Sequence, residues 1–193
     1  MTTAPEARAP AIEAQLGRMT AAELLALPDD DYRYELVRGE LIRMPPPGFR
    51  HGQIVVRVAI RLGQFAEAHR LGVVVAESGF HLESDPDTVR GPDVAFVSAA
   101  RVPPGQAPTG YPTLAPDLAV EILSPSERPG ARQQKVSEYF AAGARLVWEI
   151  DPTQHTITVH HSPDESATLA AADEISGDDV LPGFTCPVAD LIP

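Results

Sequence analysis

The chain has 193 residues, 44% hydrophobic and 22% charged, which suits a packed core and argues against wholesale disorder. Its formal net charge of -12 argues against a plain electrostatic coat for nucleic acid or membrane. The single cysteine, Cys186, excludes an internal disulfide framework and any CxxC metal cluster.

The acidity is uneven. Residues 1–70 carry 9 bases and 9 acids, whereas residues 152–193 carry 7 acids and no base. Only one of the bases, Lys135, is a lysine. No apolar run approaches the ~18 residues that span a bilayer, and the first residues lack the apolar stretch of a secretory signal. A cytoplasmic protein is expected. Residues 1–18, rich in Ala, Pro, Glu and Arg, are expected to form a loose leader ahead of one domain over 19–193.

Thr20 and Glu23 form a capping-box pattern that opens a short helix through Ala26, ended by Pro28. Strand-like runs at Tyr32–Val37 and Glu40–Met44 flank Arg38-Gly39, a hairpin signature. Ile54, Val58, Leu62 and Phe65 recur at helical spacing within Arg50–Arg70. Strands are expected at Gly72–Glu77, Gly79–Leu82, Pro92–Val97 and Asp117–Leu123, with a turn over Ser84–Arg90. Arg101–Pro116, with five prolines and two glycines, reads as a long loop of the kind that forms functional rims. Ala131–Ala142 reads as a helix closed by Gly143, followed by strands at Arg145–Ile150 and Thr156–His161. The order describes a mixed α/β sheet flanked by helices.

Two carboxylates stand where folding alone would not put them. Asp93 and Glu121 interrupt runs apolar enough to be buried strands. An unpaired buried carboxylate costs on the order of several kcal/mol, so each requires a cation, an arginine or water. On neighbouring strands the two could share one hard divalent cation. Asp93 could equally start a strand through backbone bonds, and Glu121 could pair with a buried arginine. Lys135 lies one helical turn from Glu138 and Tyr139, so it reads either as a surface partner of Glu138 or as an ammonium that stabilises charge on phosphate. His160 and His161 point to opposite faces of a regular strand and make a poor chelate, and Trp148 fills the core.

Several segments in order resemble the Uma-type family of restriction endonucleases, a branch of the PD-(D/E)xK nuclease superfamily. They are Tyr34-Glu35-Leu36-Val37-Arg38-Gly39-Glu40-Leu41, His51 opening a helix, and Gly91-Pro92-Asp93-Val94-Ala95-Phe96-Val97. Pro116-Asp117-Leu118-Ala119-Val120-Glu121-Ile122-Leu123-Ser124-Pro125-Ser126, Lys135 to Gly143, and Leu146 to Pro152 complete the set. The resemblance runs over roughly residues 20–192.

It implies a restriction-endonuclease-like αβββαβ core with an added N-terminal hairpin and C-terminal strands. It implies magnesium- or manganese-dependent hydrolysis of DNA phosphodiester bonds, with Asp93, Glu121 and Lys135 catalytic. Asp93, Glu121 and the Ile122 backbone carbonyl would be the metal ligands. Leu123 occupies the place of the usual ExK lysine, and the family carries its lysine on the next helix, where Lys135 matches. Glu77, His51 and Tyr139 are accessory candidates. The expected partner is DNA, met by a groove of Arg50, Arg57 and Arg61 with the acidic tail facing away; cleavage of both strands with one site per chain would suggest a homodimer, which nothing in the sequence fixes. The alternative is a non-catalytic nucleic-acid- or protein-binding domain that keeps the fold.

Overall fold

The computed structural model describes residues 18–28, 32–103, 105–124 and 127–193, so the expected leader lies, but for Arg18, outside the described residues. Helix α1 (Ala21–Leu25) opens on the capping box: Glu23 N–H donates to Thr20 Oγ1, and Thr20 N–H donates to Glu23. Strands β1 (Arg33–Val37) and β2 (Glu40–Met44) form the hairpin. Arg38 and Gly39, at φ 51° and 81°, make the left-handed pair that a two-residue turn requires.

Helix α2 (Phe49–His69) is followed by β3 (Gly72–Ala76), β4 (Phe80–Glu83), β5 (Thr88–Arg90), β6 (Val94–Ser98) and β7 (Leu118–Ile122). Helix α3 (Pro129–Ala141) then connects to β8 (Leu146–Asp151). Strands β9 (Thr156–Ser162), β10 (Glu165–Ala170), β11 (Glu174–Ser176) and β12 (Thr185–Pro187) and the short helix α4 (Val188–Leu191) complete the chain. The order α2, β3, β6, β7, α3, β8 is the expected αβββαβ core. One expectation fails: Ser84–Arg90 is not all turn, because its last three residues are β5, buried throughout.

The main sheet runs β10-β9-β8-β7-β6-β3, antiparallel except for the β7–β8 pair that α3 bridges. A second sheet, β2-β1-β5-β4, joins the N-terminal hairpin to the β4–β5 insertion. Ile54, Val58, Leu62 and Ala66 of α2 pack on one face of the main sheet against Val94, Phe96, Leu118, Val120, Leu146 and Trp148. Each fully buried aliphatic side chain there contributes roughly 1.5–3 kcal/mol. The opposite face holds Ala119 and Val147 beneath Val136 and Tyr139 of α3. No helix among the described residues is long and apolar enough to cross a membrane.

Candidate active site

Strands alternate their side chains between faces, and the β6–β7 register uses that alternation. Val94 faces Val120 and Ala95 faces Ala119. Asp93 immediately precedes the first of these pairs and Glu121 immediately follows it. With Val94 and Val120 turned to α2, the two acids turn the other way, toward α3. Sequence alternation and strand pairing thus bring together the two carboxylates that the sequence singles out.

Asp93 is buried. Its Oδ2 accepts the Ile122 N–H at 2.7 Å; His51 Nε2 lies 3.0 Å from Oδ1, and the Arg33 guanidinium reaches Oδ1 at 3.4 Å. Burial raises the Asp93 pKa, but the His51 contact, the Ile122 N–H and the Arg33 charge outweigh it and hold the group below the usual carboxylate value. Glu121 accepts from Lys135 Nζ at 3.1 Å on one oxygen and from the Tyr139 hydroxyl at 2.7 Å on the other. Burial pushes Glu121 up, the charges of Asp93 and Glu35 add to it, and Lys135 and Tyr139 only partly restrain it, so its pKa stands at about 7.

Lys135 therefore reaches the acids rather than its helix neighbour Glu138. Its Nζ also lies 3.9 Å from Glu35 and 3.7 Å from Glu127. Burial works against the ammonium, but Glu121, Glu35 and Glu127 together hold its pKa above the ordinary lysine value. Tyr139, on the inner face of α3, is fully buried with its hydroxyl on Glu121. Glu77 sits just past the end of β3, exposed and 3.4 Å from Arg33. All the candidate side chains thus meet in one region, with Glu77 at its margin.

Three residues there were not candidates on sequence grounds. Arg90, on the unexpected strand β5, donates to Glu35 at 2.8 Å and to Glu138 at 2.7 Å, and Glu35 also accepts the Gly91 N–H at 3.0 Å. Glu35 carries the same signature as Asp93 and Glu121, an acid inside an apolar strand run. Arg33 bridges Asp93 and Glu77.

A cleft of about 990 Å³ opens over these groups. Its floor carries Glu35, Asp93, Glu121 and Glu127 against Arg33, Arg90 and Lys135, in two groups of ion pairs that run on to Glu77 and Glu138 outside the cleft. The exposed Arg38, Arg50 and Arg128 line the same cleft further out. The surplus of oxygen donors suits a hard divalent cation, which needs only one or two carboxylates when water completes its shell. Among the described residues no group of three or more His, Cys, Asp or Glu side chains is placed to hold a metal ion.

The expected arginine groove needs correction. Arg50 lines the cleft while also donating to the Pro193 carbonyl at 3.3 Å, and Arg57 and Arg61 turn to the C-terminal segment, where they donate to the Asp190 carbonyl at 3.3 Å and carboxylate at 2.9 Å. The C-terminal segment folds against α2, where Asp190 pairs with Arg61. The histidines behave as their alternation suggests: His160 meets the buried Glu149 at 2.9 Å, and His161 meets Asp178 on the other face.

Comparison with known proteins agrees with this architecture. A solved structure from Anabaena variabilis ATCC 29413, described as a putative nuclease belonging to DUF820, superposes with a TM-score of 0.78 at 21% identity. The match covers 90% of this chain and 97% of that one. No curated protein matches the chain. The family model Uma2, described as "Putative restriction endonuclease", matches residues 21–189, and the chain belongs to that family.

Proposed function

We propose that the protein is a metal-dependent endonuclease that hydrolyses DNA phosphodiester bonds. The observation that carries this reading is the convergence of Asp93, Glu121 and Lys135, from two adjacent strands and the following helix, on the floor of one open cleft. Asp93 and Glu121 would hold magnesium or manganese, with the Ile122 carbonyl as a third oxygen. Pro92, which precedes Asp93 ahead of β6, has no N–H to donate to that carbonyl. Ile122 N–H goes instead to Asp93 and fixes the carboxylate.

The bound cation would supply Lewis-acid polarisation of a phosphoryl oxygen and a water of lowered pKa. The chain's own groups do the rest. Tyr139 donates to one Glu121 oxygen and leaves the carboxylate a single orientation. Lys135, kept protonated by three carboxylates, stands ready to stabilise charge developing on the phosphate. Arg38, Arg50 and Arg128 attract the strand to the cleft, and the acidic floor favours the cation beneath it.

The test is magnesium-dependent cleavage of single- and double-stranded DNA by the purified protein, with Asp93→Ala and Lys135→Ala as variants. Both variants should lose at least 100-fold in rate, and cleavage indifferent to both would remove the site. A non-catalytic binding domain is the competing reading, favoured by the way Arg33 and Lys135 already stand against the acids. It predicts DNA binding with no cleavage under magnesium or manganese.

A further inference from the structure

A second recess, about 310 Å³, lies beside the cleft and shares Arg33, Glu35, Met44 and Gly91 with it. Its walls are aromatic and aliphatic: Tyr32, Tyr34, Tyr111, Leu24 and Leu25. Tyr111 comes from the Arg101–Pro116 loop, which is pinned to β4 where His81 N–H donates to the Pro112 carbonyl at 3.0 Å. The ring lies directly over Gly79, where an added Cβ would stand 2.5 Å from Tyr111 Cδ1 and Cε1. Leu25 in turn seats against Gly110, where an added Cβ would come within 2.9 Å of its methyl. Tyr32 is backed by the Arg43 guanidinium, 4.2 Å from its ring centre. Glycines and a cation therefore hold the aromatic walls in place.

The chemistry of the recess selects its occupant. Among its described lining residues Arg33 is the one cation, and it stands at the boundary with the cleft; Glu35 and Glu77 repel an anion from the interior. The volume is at the bottom of the ~300–1,000 Å³ range of small-ligand pockets, room for one planar ring system rather than a stacked pair. Arg33 holds Asp93 and Glu77 at 3.4 Å, longer than the ~2.7–2.9 Å of a strong charge-assisted bond, so it can be drawn onto a phosphate.

We propose that this recess receives one unstacked nucleobase of the substrate strand while Arg33 binds the adjoining phosphate. The proposal rests on the nuclease reading and narrows it: the substrate is a single strand, or a duplex that surrenders a base at the cleavage site.

The test is fluorescence binding in EDTA, where no cleavage occurs, with a single-stranded pentanucleotide of 2-aminopurine and an all-abasic pentanucleotide of the same charge. The base-bearing strand should bind about tenfold tighter and its fluorescence should be quenched, in the range of aromatic stacking on a base. Tyr111→Ala should remove that advantage and Tyr111→Phe should keep it. Leu25→Glu, at a side chain 55% exposed, should also remove it without touching the core. Equal binding of the two strands, or an advantage that survives both Tyr111→Ala and Leu25→Glu, overturns the proposal. Metal-dependent cleavage with base-independent binding would remove the recess and leave the nuclease reading. Base-dependent binding with no cleavage under either metal would do the reverse.

Discussion

Arg90→Met tests how the acidic floor is held together. In the native protein the guanidinium is 7% exposed and spans Glu35 at 2.8 Å and Glu138 at 2.7 Å. Glu35 is only 3% exposed; without Arg90 its remaining cation would be Lys135 at 3.9 Å, already shared with Glu121 and Glu127. Removing one partner of a buried pair costs about 3–5 kcal/mol, because the other charge stays buried and unmatched. For a chain of this size that is a fall of about 6–20 °C in melting temperature.

The loss should depend on pH. Burial raises the Glu35 pKa, but the charges of Lys135 and Arg90, the Gly91 N–H and the Arg90 hydrogen bond together hold it below the usual carboxylate value. Its ionised form therefore stabilises the native protein above the ordinary carboxylate pKa, and that contribution fades as pH falls through the lowered value. Without Arg90 the Glu35 pKa rises and protonation relieves the variant, so the gap from wild type is widest near pH 7 and closes toward pH 4. Urea denaturation from pH 4 to 8 measures it, and the double variant Arg90→Met with Glu35→Gln should recover at least half of the loss. A cost below about 1 kcal/mol at pH 7, or no recovery in the double variant, would refute the reasoning.

Tyr139→Phe removes the hydroxyl that orients Glu121 at 2.7 Å; with fold retained, kcat for DNA cleavage should fall about tenfold, the scale of one lost hydrogen bond to a charged group. Asp87→Ala removes the acceptor of the Ala21 N–H, the main cause of its lowered pKa, so it should cost about 1–3 kcal/mol at pH 7 by urea denaturation. That cost should fade as pH falls through the lowered Asp87 value. Gly72→Ala would set a Cβ 2.1 Å from the Val97 carbonyl oxygen and 2.8 Å from Ser98 Cα, so the β3–β6 edge should lose about 3 kcal/mol or fail to form, read by amide hydrogen exchange of β3.

The main helices and strands of the mixed sheet and the two acids were legible in the sequence because both depend on local pattern: helical periodicity in α2, β-branched runs in β3, β6 and β7, and single carboxylates breaking apolar runs; the αβββαβ order came from the family resemblance. Strand β5 was not legible. It is three residues long and follows Asp85-Pro86-Asp87, whose turn chemistry masks it, so Arg90 gave no sign of burial. Glu35 carried the signal in full, an acid between Tyr34 and Leu36, yet its role depends on a strand and a helix far away in the chain. Arg57 and Arg61 show the opposite failure: their helix was read correctly, but their partner, Asp190, lies more than a hundred residues on. Local chemistry places a side chain on a face; only tertiary pairing decides what it meets.

Cleavage by this protein requires that Asp93 and Glu121 form one cation site. Calorimetric titration with manganese measures it directly. One ion should bind per wild-type chain, and binding should be lost in Asp93→Ala and in Glu121→Ala, with both variants folded. No binding to the wild-type protein, or binding unchanged in both variants, would contradict it.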